Sequence, residues 1–413
     1  MNPPIDLTNQ DEFQRRVPHD WFTWLRANAP VHWNPEPNGR GFWALTRHQD
    51  VVAVSRDADT FSSEIGASAL EDLEPDALEA RKSMIDMDPP GHTALRRRLT
   101  PEFTRRAVAD YELRIRHTVR EVLDAALPKV EFDFVHDVAA TIPIRVLCDI
   151  LGVPAGDQKL LVDLGDRMFG NTDPQVADVL LDSEASEQFR LLPFRSPAAA
   201  EMFEYSRWLA AQRLDAPRDD LVSHLVHGRA GAPPLRDRDF DAMFLLLVVA
   251  GNETTRSALA LGVQAFDEHP TAWERVRESD SHELPLAVEE LLRYTTALHH
   301  FRRTATRDIV LHDTQIAEGD KVVVWFTAAN RDDTVFDRPD ELDVTRVPNP
   351  HTSFGRGGPH RCIGEHLARL EIAVTLDELR RRVDRIEVVG EPVRVRSNFT
   401  NALRALPVAA RNL

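Results

Sequence analysis

The sequence predicts a mainly α-helical fold with a small β portion, organised as one domain. Between residues 106 and 300, apolar residues recur at three- and four-residue spacing in one segment after another, which is typical of amphipathic helices. Short segments of alternating apolar and polar residues, which are typical of strands, occur toward the two ends of the chain. The 413 residues contain no internal repeat, low-complexity segment or obvious linker, so nothing marks a domain boundary.

The first hundred residues combine both kinds of element. A short helix is predicted within 20–34, a strand over 41–46 and another short helix over 49–55. The segment 61–87 is irregular and rich in small and acidic residues, and a loop of this length in a compact protein is usually functional, so we expect a lid. At 88–91, Asp-Pro-Pro-Gly forms a turn that starts the next helix.

The rest of the chain is predicted to be helical up to about residue 300 and mixed afterwards. The helical pattern is lost between 171 and 197, and we expect the segment 166–200 to form a second mobile cover. A proline-rich break at 230–235 precedes the most apolar helix. The predicted helices are 106–127, 137–151, 157–170, 198–213, 218–228, 237–266, 271–278, 284–294 and 365–383. The predicted strands in this part are 308–312, 321–326, 386–396 and 402–408.

Composition and charge exclude several classes of function. The chain carries 50 basic and 67 acidic residues, a net charge of −17, whereas generic nucleic-acid binding needs a basic footprint. With Cys148 and Cys362 as the only cysteines, no disulfide framework is expected, which is typical of a reducing cytoplasm. Residues 1–16 look like neither a signal peptide nor an anchor, and the longest apolar run, 242–251, is too short to span a bilayer. We therefore expect a soluble, cytoplasmic protein.

A glycine-rich loop surrounds Cys362. The stretch 354–364, Phe-Gly-Arg-Gly-Gly-Pro-His-Arg-Cys-Ile-Gly, contains four glycines, so its backbone must pass close to something bulky or adopt angles that only glycine tolerates. The N–H donors of such a loop, and the helix that starts after it, are expected to lower the pKa of the cysteine and favour the thiolate. That thiolate would be a nucleophile or a metal ligand. Cys148, between apolar helix residues, is expected to be structural.

The chemistry open to a lone thiolate is limited. A cysteine protease would need a base and an oxyanion site, and a zinc site would need further thiolate or histidine ligands, and neither pattern is found. A single thiolate without a second protein ligand suits haem iron, because the porphyrin supplies four nitrogens. The remaining alternative is an unrelated helical protein with a structural cysteine in a glycine-rich turn.

A second pattern, Ala-Gly-Asn-Glu-Thr-Thr at 250–255, lies in the most apolar predicted helix. Burying a carboxylate such as that of Glu253 is costly unless it has a partner or a function. Gly251 weakens the helix, and a threonine hydroxyl can bond to the carbonyl four residues earlier and open a local bend. In haem chemistry such a bend makes room for O2, beside a hydroxyl and a carboxylate that relay protons. The alternative is that Glu253 faces solvent where the helix leaves the core.

A third pattern is the pair Glu290 and Arg293 in the predicted helix 284–294. Residues three apart share one face of a helix, so their side chains can meet. A lone exposed pair of this kind contributes roughly a few tenths of a kcal/mol, so by itself it indicates little.

Together the three patterns resemble the cytochrome P-450 family. The loop at 354–364 is similar to its haem-binding signature, in which an aromatic–glycine pair precedes Gly-x-His-x-Cys-x-Gly. The phenylalanine lies eight residues before the cysteine here rather than the usual seven, so the loop carries one extra residue. The stretch 250–255 resembles the acid–alcohol pair of the oxygen-binding helix, and Glu290-Leu-Leu-Arg293 resembles the Glu-x-x-Arg motif. The resemblance covers about residues 40–400.

The resemblance implies the cytochrome P-450 fold, a single large triangular domain over 1–413. Its parts would be a strand and helix part at 1–60, a helical part at 61–300 with the oxygen-binding helix 237–266, and a haem-loop part at 301–413. It also implies haem b as cofactor and O2 as co-substrate, with the Cys362 thiolate as the iron ligand. The other residues expected to contact the haem are His92, Arg96, Ala250, Gly251, Arg303, Phe354, Gly355, His360 and Gly364. Those expected at the propionates are His92, Arg96, His360 and, in a strand at 301–305, Arg303.

The resemblance further implies roles around the haem. Glu253 and Thr254 are expected to deliver protons. Glu290 and Arg293, with Arg346 as a third member, are expected to tie their helix to the coil that precedes the haem loop. The residues expected to line an apolar substrate pocket are Phe169, Phe244, Leu247, Val248 and Leu298.

A soluble bacterial member of this family would be a monooxygenase that inserts one atom of O2 into a C–H bond of a hydrophobic small molecule, such as a steroid, terpenoid or lipid-like compound. Electrons would come from NAD(P)H through ferredoxin reductase and an acidic ferredoxin, which is expected to dock near Arg105, Arg106, Arg356 and Arg361. Two alternatives stay open, a peroxide-driven thiolate-haem oxygenase and a haem-binding sensor without turnover. The acid–alcohol pair argues against both.

Overall fold

The computed structural model describes residues 4–68, 70–229, 232–280 and 282–413. Helix accounts for 52% of the chain and strand for 12%, which confirms the predicted mainly α class with a small β portion. The proline-rich break predicted at 230–235 lies partly outside the described residues, as does the beginning of the polar N-terminus.

The described part of the chain forms sixteen α-helices. The first eight are α1 (Gln10–Arg15), α2 (His19–Asn28), α3 (His48–Arg56), α4 (Pro75–Arg81), α5 (Gly91–Phe103), α6 (Arg105–Ala109), α7 (Glu112–Ala126) and α8 (Thr141–Leu151). The second eight are α9 (Gln158–Phe169), α10 (Pro197–Asp215), α11 (Leu221–His227), α12 (Asp237–Glu268), α13 (Pro270–Glu278), α14 (Leu284–Thr295), α15 (Phe326–Ala329) and α16 (Glu365–Arg380).

Twelve short strands form four small sheets in the described ranges. The strands are β1 (Val31–Asn34), β2 (Phe42–Leu45), β3 (Phe61–Ser62), β4 (Glu131–Asp133), β5 (His300–Ala305), β6 (Ile309–Leu311), β7 (Thr314–Ile316), β8 (Lys321–Trp325), β9 (Val383–Val388), β10 (Val393–Arg394), β11 (Leu403–Ala405) and β12 (Pro407–Asn412). The largest sheet has the order β1-β2-β8-β5-β3, in which β2 and β8 run parallel and the other pairs antiparallel. A second sheet has the order β4-β12-β9, and two pairs, β6-β7 and β10-β11, stand apart.

Several element boundaries differ from the prediction. The segment 61–87 is not one irregular loop, because it contains β3, α4 and a 3-10 turn at Met84–Asp86. Helix α1 and strand β7 were not predicted, since elements of six and three residues carry too little periodicity. The helix predicted at 365–383 ends at Arg380, and the buried Val383 starts β9 instead of continuing the apolar face of the helix.

Two predicted helices are each divided. The helix predicted at 106–127 is formed by α6 and α7, and the one predicted at 137–151 begins as a π-helical turn, Val135–Ala139, before α8. Apolar residues keep helical spacing across both divisions, so periodicity alone does not reveal them.

Helix α12 organises the helical core. It packs against α8, α9, α10, α14 and α16, and its buried side chains lie all round the helix. The prediction of a buried helix over 237–266 is confirmed, with two further residues at the C-terminal end. Although α12 is long and largely apolar, no helix in the described ranges is long and apolar enough to cross a membrane.

Helix α16 connects the glycine-rich loop to this core. It begins directly after the loop and packs against α6, α7 and α14 as well as α12. The loop is therefore attached to the same helical core as the 250–255 stretch of α12.

Candidate active site

The glycine-rich loop is closed by backbone contacts. The N–H of Cys362 donates to the carbonyl oxygen of Phe354 at 2.8 Å. Gly357 has a φ of +92°, in the left-handed region that favours glycine. A Cβ at Gly358 would lie 1.7 Å from the carbonyl oxygen of Ser55 in α3, so no larger residue fits there. The extra residue of this loop lies in a stretch where the backbone passes directly against α3.

The beginning and the end of the loop are also shaped by specific contacts. The guanidinium of Arg369 lies over the ring of Phe354, 4.5 Å from its centre. Gly355 has a φ of +68°, again in the left-handed region. At the other end, a Cβ on Gly364 would lie 3.9 Å from the sulfur of Cys362. Phe354, Gly355 and Gly364 thus frame the cysteine.

Cys362 is accessible to solvent, although many protein atoms surround its thiol. Burial raises its pKa, while the Gly364 N–H that donates to the sulfur, together with Arg96 and Arg369, acts in the opposite direction. The net result is a raised pKa, whereas the sequence predicts a lowered one, because burial outweighs these donors. A metal ion at the sulfur would reverse this, since a coordinating thiol is deprotonated outright.

A group of cationic and imidazole side chains lies beside the thiol. The ring centres of His92 and His360 are 4.2 Å apart, and His92 Nδ1 and His360 Nε2 are buried without a hydrogen-bond partner among the described residues. Arg303 is buried and donates to the carbonyl oxygen of Arg302 at 2.7 Å. Burial lowers the pKa of Arg303 to about 10. The pKa of Arg96 is lowered mainly by burial, and the nearby thiol acts against that shift.

This donor set fits a haem. Two orphaned imidazole nitrogens and a buried guanidinium without a salt bridge to any described residue form an incomplete arrangement, which two propionates would complete. The accessible thiol offers a single soft ligand for iron. Within the ranges that the structure covers, no group of three or more His, Cys, Asp or Glu side chains could hold a metal ion by itself. An iron at Cys362 would therefore need the nitrogens of a porphyrin.

The middle of α12 presents Ala250 and Thr254 to a large cavity. The Thr254 hydroxyl donates to the Ala250 carbonyl oxygen at 2.9 Å, and α12 continues through this stretch without interruption, so any local bend leaves the helix intact. Gly251 lies on a different side, because a Cβ there would be 3.2 Å from the side chain of Leu147 in α8. Close packing of two helices, rather than the cavity, explains this glycine.

Glu253 is buried, so the alternative in which it faces solvent is wrong. Its Oε1 accepts a hydrogen bond from Asn252 Nδ2 at 2.9 Å and lies 3.5 Å from Arg256 Nη1. Arg256 also bonds to Asp166 in α9. Burial raises the pKa of Glu253, Arg256 lowers it and Asp166 raises it further. Two neighbours of opposite charge therefore control the protonation of this carboxyl.

A small cavity of about 170 Å³ lies next to Glu253, between α9, α12 and the C-terminal strands. Its lining includes Asp166, Arg256 and Ser257 besides Glu253 itself. Thr254 lines both this small cavity and the large one. The Thr254 side chain thus stands between a charged compartment and the main cavity.

Glu290 lies at the centre of a buried cluster. Its carboxylate accepts hydrogen bonds from Arg293 at 2.7 and 2.8 Å, from Arg346 Nε at 3.1 and 3.2 Å, and from Asn349 at 3.0 Å. Arg293 also donates to three backbone carbonyl oxygens within 330–341, at 2.7 to 3.0 Å. The structure thus brings the three predicted members together and joins α14 to the coil before the loop.

The large cavity has a volume of about 1110 Å³. Phe169 and Leu298 line it, whereas Phe244, Leu247 and Val248 do not, and their predicted place in the pocket is wrong. Phe244 instead packs against aromatic residues of α10 and α12. A helix that is apolar all round does not reveal which stripe faces a cavity. The α12 residues that line it are Ala242, Leu245, Leu246, Val249, Ala250 and Thr254.

Ionic contacts join the two predicted covers of this cavity, which are the lid at 61–87 and the segment 166–200. Arg81 of α4 bonds to Glu71 at 2.9 Å and to the carbonyl oxygen of Arg190. Arg190 pairs with Asp76 at 2.5 Å, and Arg195 pairs with Glu71. Residues of both covers line the cavity. The structure therefore has the covers linked to each other.

The four arginines predicted to dock a redox partner are exposed. Arg105, Arg106 and Arg356 make no salt bridge with any residue that the structure describes, whereas Arg361 is bonded to Glu365 at 2.7 Å. Helix α6, which carries Arg105 and Arg106, packs against α16, the helix that follows the loop. The charge of Arg361 is partly neutralised, so the other three are the stronger candidates.

Sequence reasoning missed Asp166 and Arg256, and it also missed Asp6 and residues 8–10, which help line the large cavity. Arg256 lies three residues after Glu253, so helical spacing could have indicated that pair. Asp166 lies 90 residues before Arg256, and no local pattern connects the two.

Comparison with known proteins places these features in a family. The family model described as Cytochrome P450 matches residues 9–382 of this chain. The methyl-branched lipid omega-hydroxylase of Mycobacterium tuberculosis is 36% identical over 396 residues, which cover 94% of this chain and 90% of that protein. The steroid C26-monooxygenase of Rhodococcus jostii is 32% identical over 415 residues, which cover 98% of this chain and 84% of that protein.

Solved structures agree with this assignment. A cytochrome P450 of Mycobacterium marinum in complex with pseudoionone superimposes with a TM-score of 0.89 at 35% identity, covering 99% of both chains. A Bacillus megaterium structure in complex with testosterone has a TM-score of 0.84 at 27% identity, covering 97% of this chain and 99% of that one. These likenesses confirm the predicted cytochrome P-450 fold.

Proposed function

The chain belongs to the cytochrome P450 family and is a monooxygenase with haem b as cofactor and O2 as co-substrate, and we propose that Cys362 is the thiolate ligand of its haem iron. The observation that carries the proposal is the Cys362 thiol itself. The residue is accessible to solvent although many protein atoms surround the thiol, and the sulfur accepts a hydrogen bond from the N–H of Gly364. A structural cysteine would instead be enclosed, as Cys148 is.

The residues around the thiol would hold the group in place. When bound, haem supplies an iron that activates O2 once electrons arrive, and a thiolate ligand favours cleavage of the O–O bond. His92, Arg96, Arg303 and His360 would donate to the two propionates, because none of the four forms a salt bridge with a residue that the structure describes. The Glu290 cluster would keep the preceding coil rigid and so fix the position of the cysteine.

Glu253 and Thr254 would move protons toward the main cavity. The Glu253 carboxyl, whose pKa is raised, can take up a proton at Oε1 and release it without a large free-energy change near neutral pH. The Thr254 hydroxyl lines both cavities, so it can accept that proton at Oγ1 on the side of the small cavity and, once its hydrogen bond to the Ala250 carbonyl oxygen opens, release its own toward the large cavity. Arg256 and Asp166 would orient Glu253 and set its charge.

The substrate would be a hydrophobic small molecule of the steroid, terpenoid or lipid-like class. The α12 wall of the large cavity is apolar, and Phe169, Phe194 and Leu298 add further apolar surface. The relatives named for their substrates act on a methyl-branched lipid or a steroid. These names agree with the size and lining of the cavity.

Electrons would come from NAD(P)H through a ferredoxin reductase and an acidic ferredoxin. The exposed charges of Arg105, Arg106 and Arg356, which form no salt bridge with a described residue, suit an acidic partner despite the net charge of −17.

The proposal is tested by turnover of the purified holoenzyme with a surrogate ferredoxin, its reductase and NADPH. Substrates are first found by spectral shifts of the haem on titration with sterols, fatty acids and terpenoids. We expect a product that carries one oxygen atom from isotopically labelled O2, formed together with NADPH consumption. A product that forms with hydrogen peroxide but not with O2, NADPH and the redox partners would support the peroxide-driven alternative instead. Spectral shifts with small polar aromatics alone would contradict the apolar substrate class.

A further inference from the structure

His300, the first residue of β5, is buried among aromatic rings with both of its ring nitrogens unpaired. The residue is 1% exposed, and its ring centre lies 4.7 Å from that of Trp325 and 5.4 Å from that of Phe399. Neither Nδ1 nor Nε2 has a hydrogen-bond partner in the part of the chain that the structure describes. Unsatisfied polar atoms in the interior destabilise a protein, so this ring needs a ligand or a water molecule.

The neighbouring His299 differs from His300 in its hydrogen bonding and in its contact with the large cavity. It is equally buried, but only its Nε2 lacks a hydrogen-bond partner among the described residues, because its Nδ1 lies 2.8 Å from the hydroxyl oxygen of Thr327. It does not border the large cavity, whereas His300 does. His300 therefore combines two unpaired nitrogens with contact to the proposed substrate space.

His300 lies on the side of the strand away from the proposed haem contacts. Side chains alternate between the two faces of a strand, so His300 is on the face opposite to that of Phe301 and Arg303. Its aromatic neighbour Phe399 belongs to the segment 396–399, which lines the same cavity together with the N-terminal residues 8–10. His300 thus borders the branch of the cavity that residues 8–10 and 396–399 line.

The other polar side chains of this branch are already engaged within the protein. Asn398 Nδ2 donates to a backbone carbonyl oxygen at 2.9 Å, and Ser397 Oγ accepts two backbone N–H groups at 3.1 Å. Thr172 donates to the Arg396 carbonyl oxygen at 2.5 Å. Among the residues described in this branch, His300 carries the buried ring nitrogens that lack a hydrogen-bond partner, and a substrate could satisfy them.

The chemistry of the ring selects the kind of group it would bind. Burial lowers the pKa of His300 to about 3, so the imidazole is neutral at physiological pH. A neutral imidazole offers one N–H donor and one acceptor nitrogen. An alcohol can donate to the bare nitrogen or accept from the N–H, in either tautomer. A carboxylate can only accept, and its charge would be buried among aromatic rings, while a hydrocarbon satisfies neither nitrogen.

We propose that His300 is a specificity-determining residue that binds a hydroxyl group of the substrate, at a position away from the carbon that is oxidised. The proposal rests on the proposed function, because it takes the large cavity as the substrate site. The substrate would then be an apolar alcohol rather than a pure hydrocarbon or a free fatty acid. Hydroxylation would give it a second oxygen function.

The test compares matched ligands on the holoenzyme. Spectral titrations give the dissociation constants of cholesterol and cholest-5-ene, farnesol and farnesene, and hexadecanol and hexadecane. They are made on the wild-type protein, on His300→Phe, which keeps an aromatic ring beside Trp325 and Phe399, and on His300→Gln, which keeps a donor and an acceptor. In at least one pair, wild type is expected to bind the alcohol about tenfold more tightly, the effect of one buried hydrogen bond.

The variants are expected to separate hydrogen bonding from packing. His300→Phe abolishes the preference for the alcohol and leaves the affinity for the hydrocarbon unchanged, while His300→Gln retains part of the preference. Haem content and the carbon monoxide spectrum verify that each variant is folded, and His300→Leu replaces the phenylalanine variant if that one does not incorporate haem.

Two results would overturn the proposal. One is equal affinity for alcohol and hydrocarbon in every pair that binds to wild type, which means that water satisfies the ring. The other is a preference that His300→Phe leaves intact. If hydrocarbons bind without any preference for the alcohols, the assignment of His300 alone fails. If no probe of either kind binds to a holoenzyme with a normal carbon monoxide spectrum, the proposed substrate class fails with it.

Discussion

Glu253 and Arg256 lie one helical turn apart on α12, with 3.5 Å between Oε1 and Nη1, and Arg256 bonds in turn to Asp166 on α9. Helix α9 ends at Phe169, which lines the large cavity, and leads directly into a cover. A cation therefore connects the carboxyl proposed to carry protons to the helix that borders the substrate space.

Replacing Glu253 by glutamine is expected to reduce turnover about a hundredfold or more, the usual contribution of a positioned proton carrier. Glutamine keeps the size of the side chain and an acceptor for Asn252, but it cannot take up and release a proton. Product formation with the surrogate redox partners measures the effect. The control is Ser257→Ala, in the wall of the same small cavity, for which we expect less than about a twofold change. Near-normal turnover in Glu253→Gln would contradict the assigned role.

The two neighbours of Glu253 are expected to shift the pH profile of turnover in opposite directions. Arg256 lowers the pKa of Glu253, so Arg256→Met raises that pKa and moves the corresponding limb of the profile to higher pH. Asp166 raises the pKa, so Asp166→Asn moves the limb to lower pH. Close charges of this kind shift a pKa by about one unit or more.

Arg275→Met, in the exposed pair Arg275–Glu283, removes one positive charge elsewhere and should leave the profile unchanged. Shifts of the same sign in the Arg256 and Asp166 variants would show that Glu253 does not govern the limb.

Removing the Glu290 carboxylate is expected to lower the free energy of unfolding by about 3–5 kcal/mol, because Glu290→Ala leaves the buried guanidinium groups of Arg293 and Arg346 without their acid. Urea unfolding followed by circular dichroism measures the change. The matched control, Glu283→Ala, breaks the exposed pair with Arg275 and should cost less than about 1 kcal/mol. Equal effects of the two substitutions would mean that the cluster does not stabilise the fold.

Charge reversal at Arg105 is expected to slow reduction of the haem by ferredoxin about tenfold at low ionic strength, since electrostatic steering sets the association rate. The difference from wild type should shrink as salt is added, because exposed charges are screened. Stopped-flow reduction measures the rate. Lys159→Glu is the control, since it changes the charge equally on the exposed surface of α9. Equal slowing by both reversals would point to net charge rather than to a docking face.

Those parts of the site that are encoded in contiguous residues could be predicted from the sequence. The glycines around Cys362 and the adjacent Glu253 and Thr254 carry their chemistry in a few neighbouring positions. The pairing of Glu290 with Arg293 follows from helical spacing, and the structure places Arg346 against the same carboxylate. Local spacing fixes these groups, whereas Arg346 lies 56 residues from Glu290 and is expected only from the family resemblance.

Other parts depend on tertiary packing and could not be predicted. Phe244, Leu247 and Val248 were assigned to the pocket because α12 is apolar on every side, and only its neighbours decide which stripe faces a cavity. The upward shift of the Cys362 pKa depends on how deeply the loop is buried. Asp166 meets Arg256 across two helices, and no sequence pattern encodes that contact.

The central claim is that the Cys362 thiolate binds the haem iron, and the carbon monoxide difference spectrum of the reduced protein tests it most directly. Wild type and Cys148→Ser are expected to give the red-shifted band of a thiolate-ligated haem. Cys362→His is expected to move that band to the position of an imidazole-ligated haem, and Cys362→Ser to abolish it. A thiolate band that survives replacement of Cys362, or that is absent from the wild-type holoenzyme, would contradict the account.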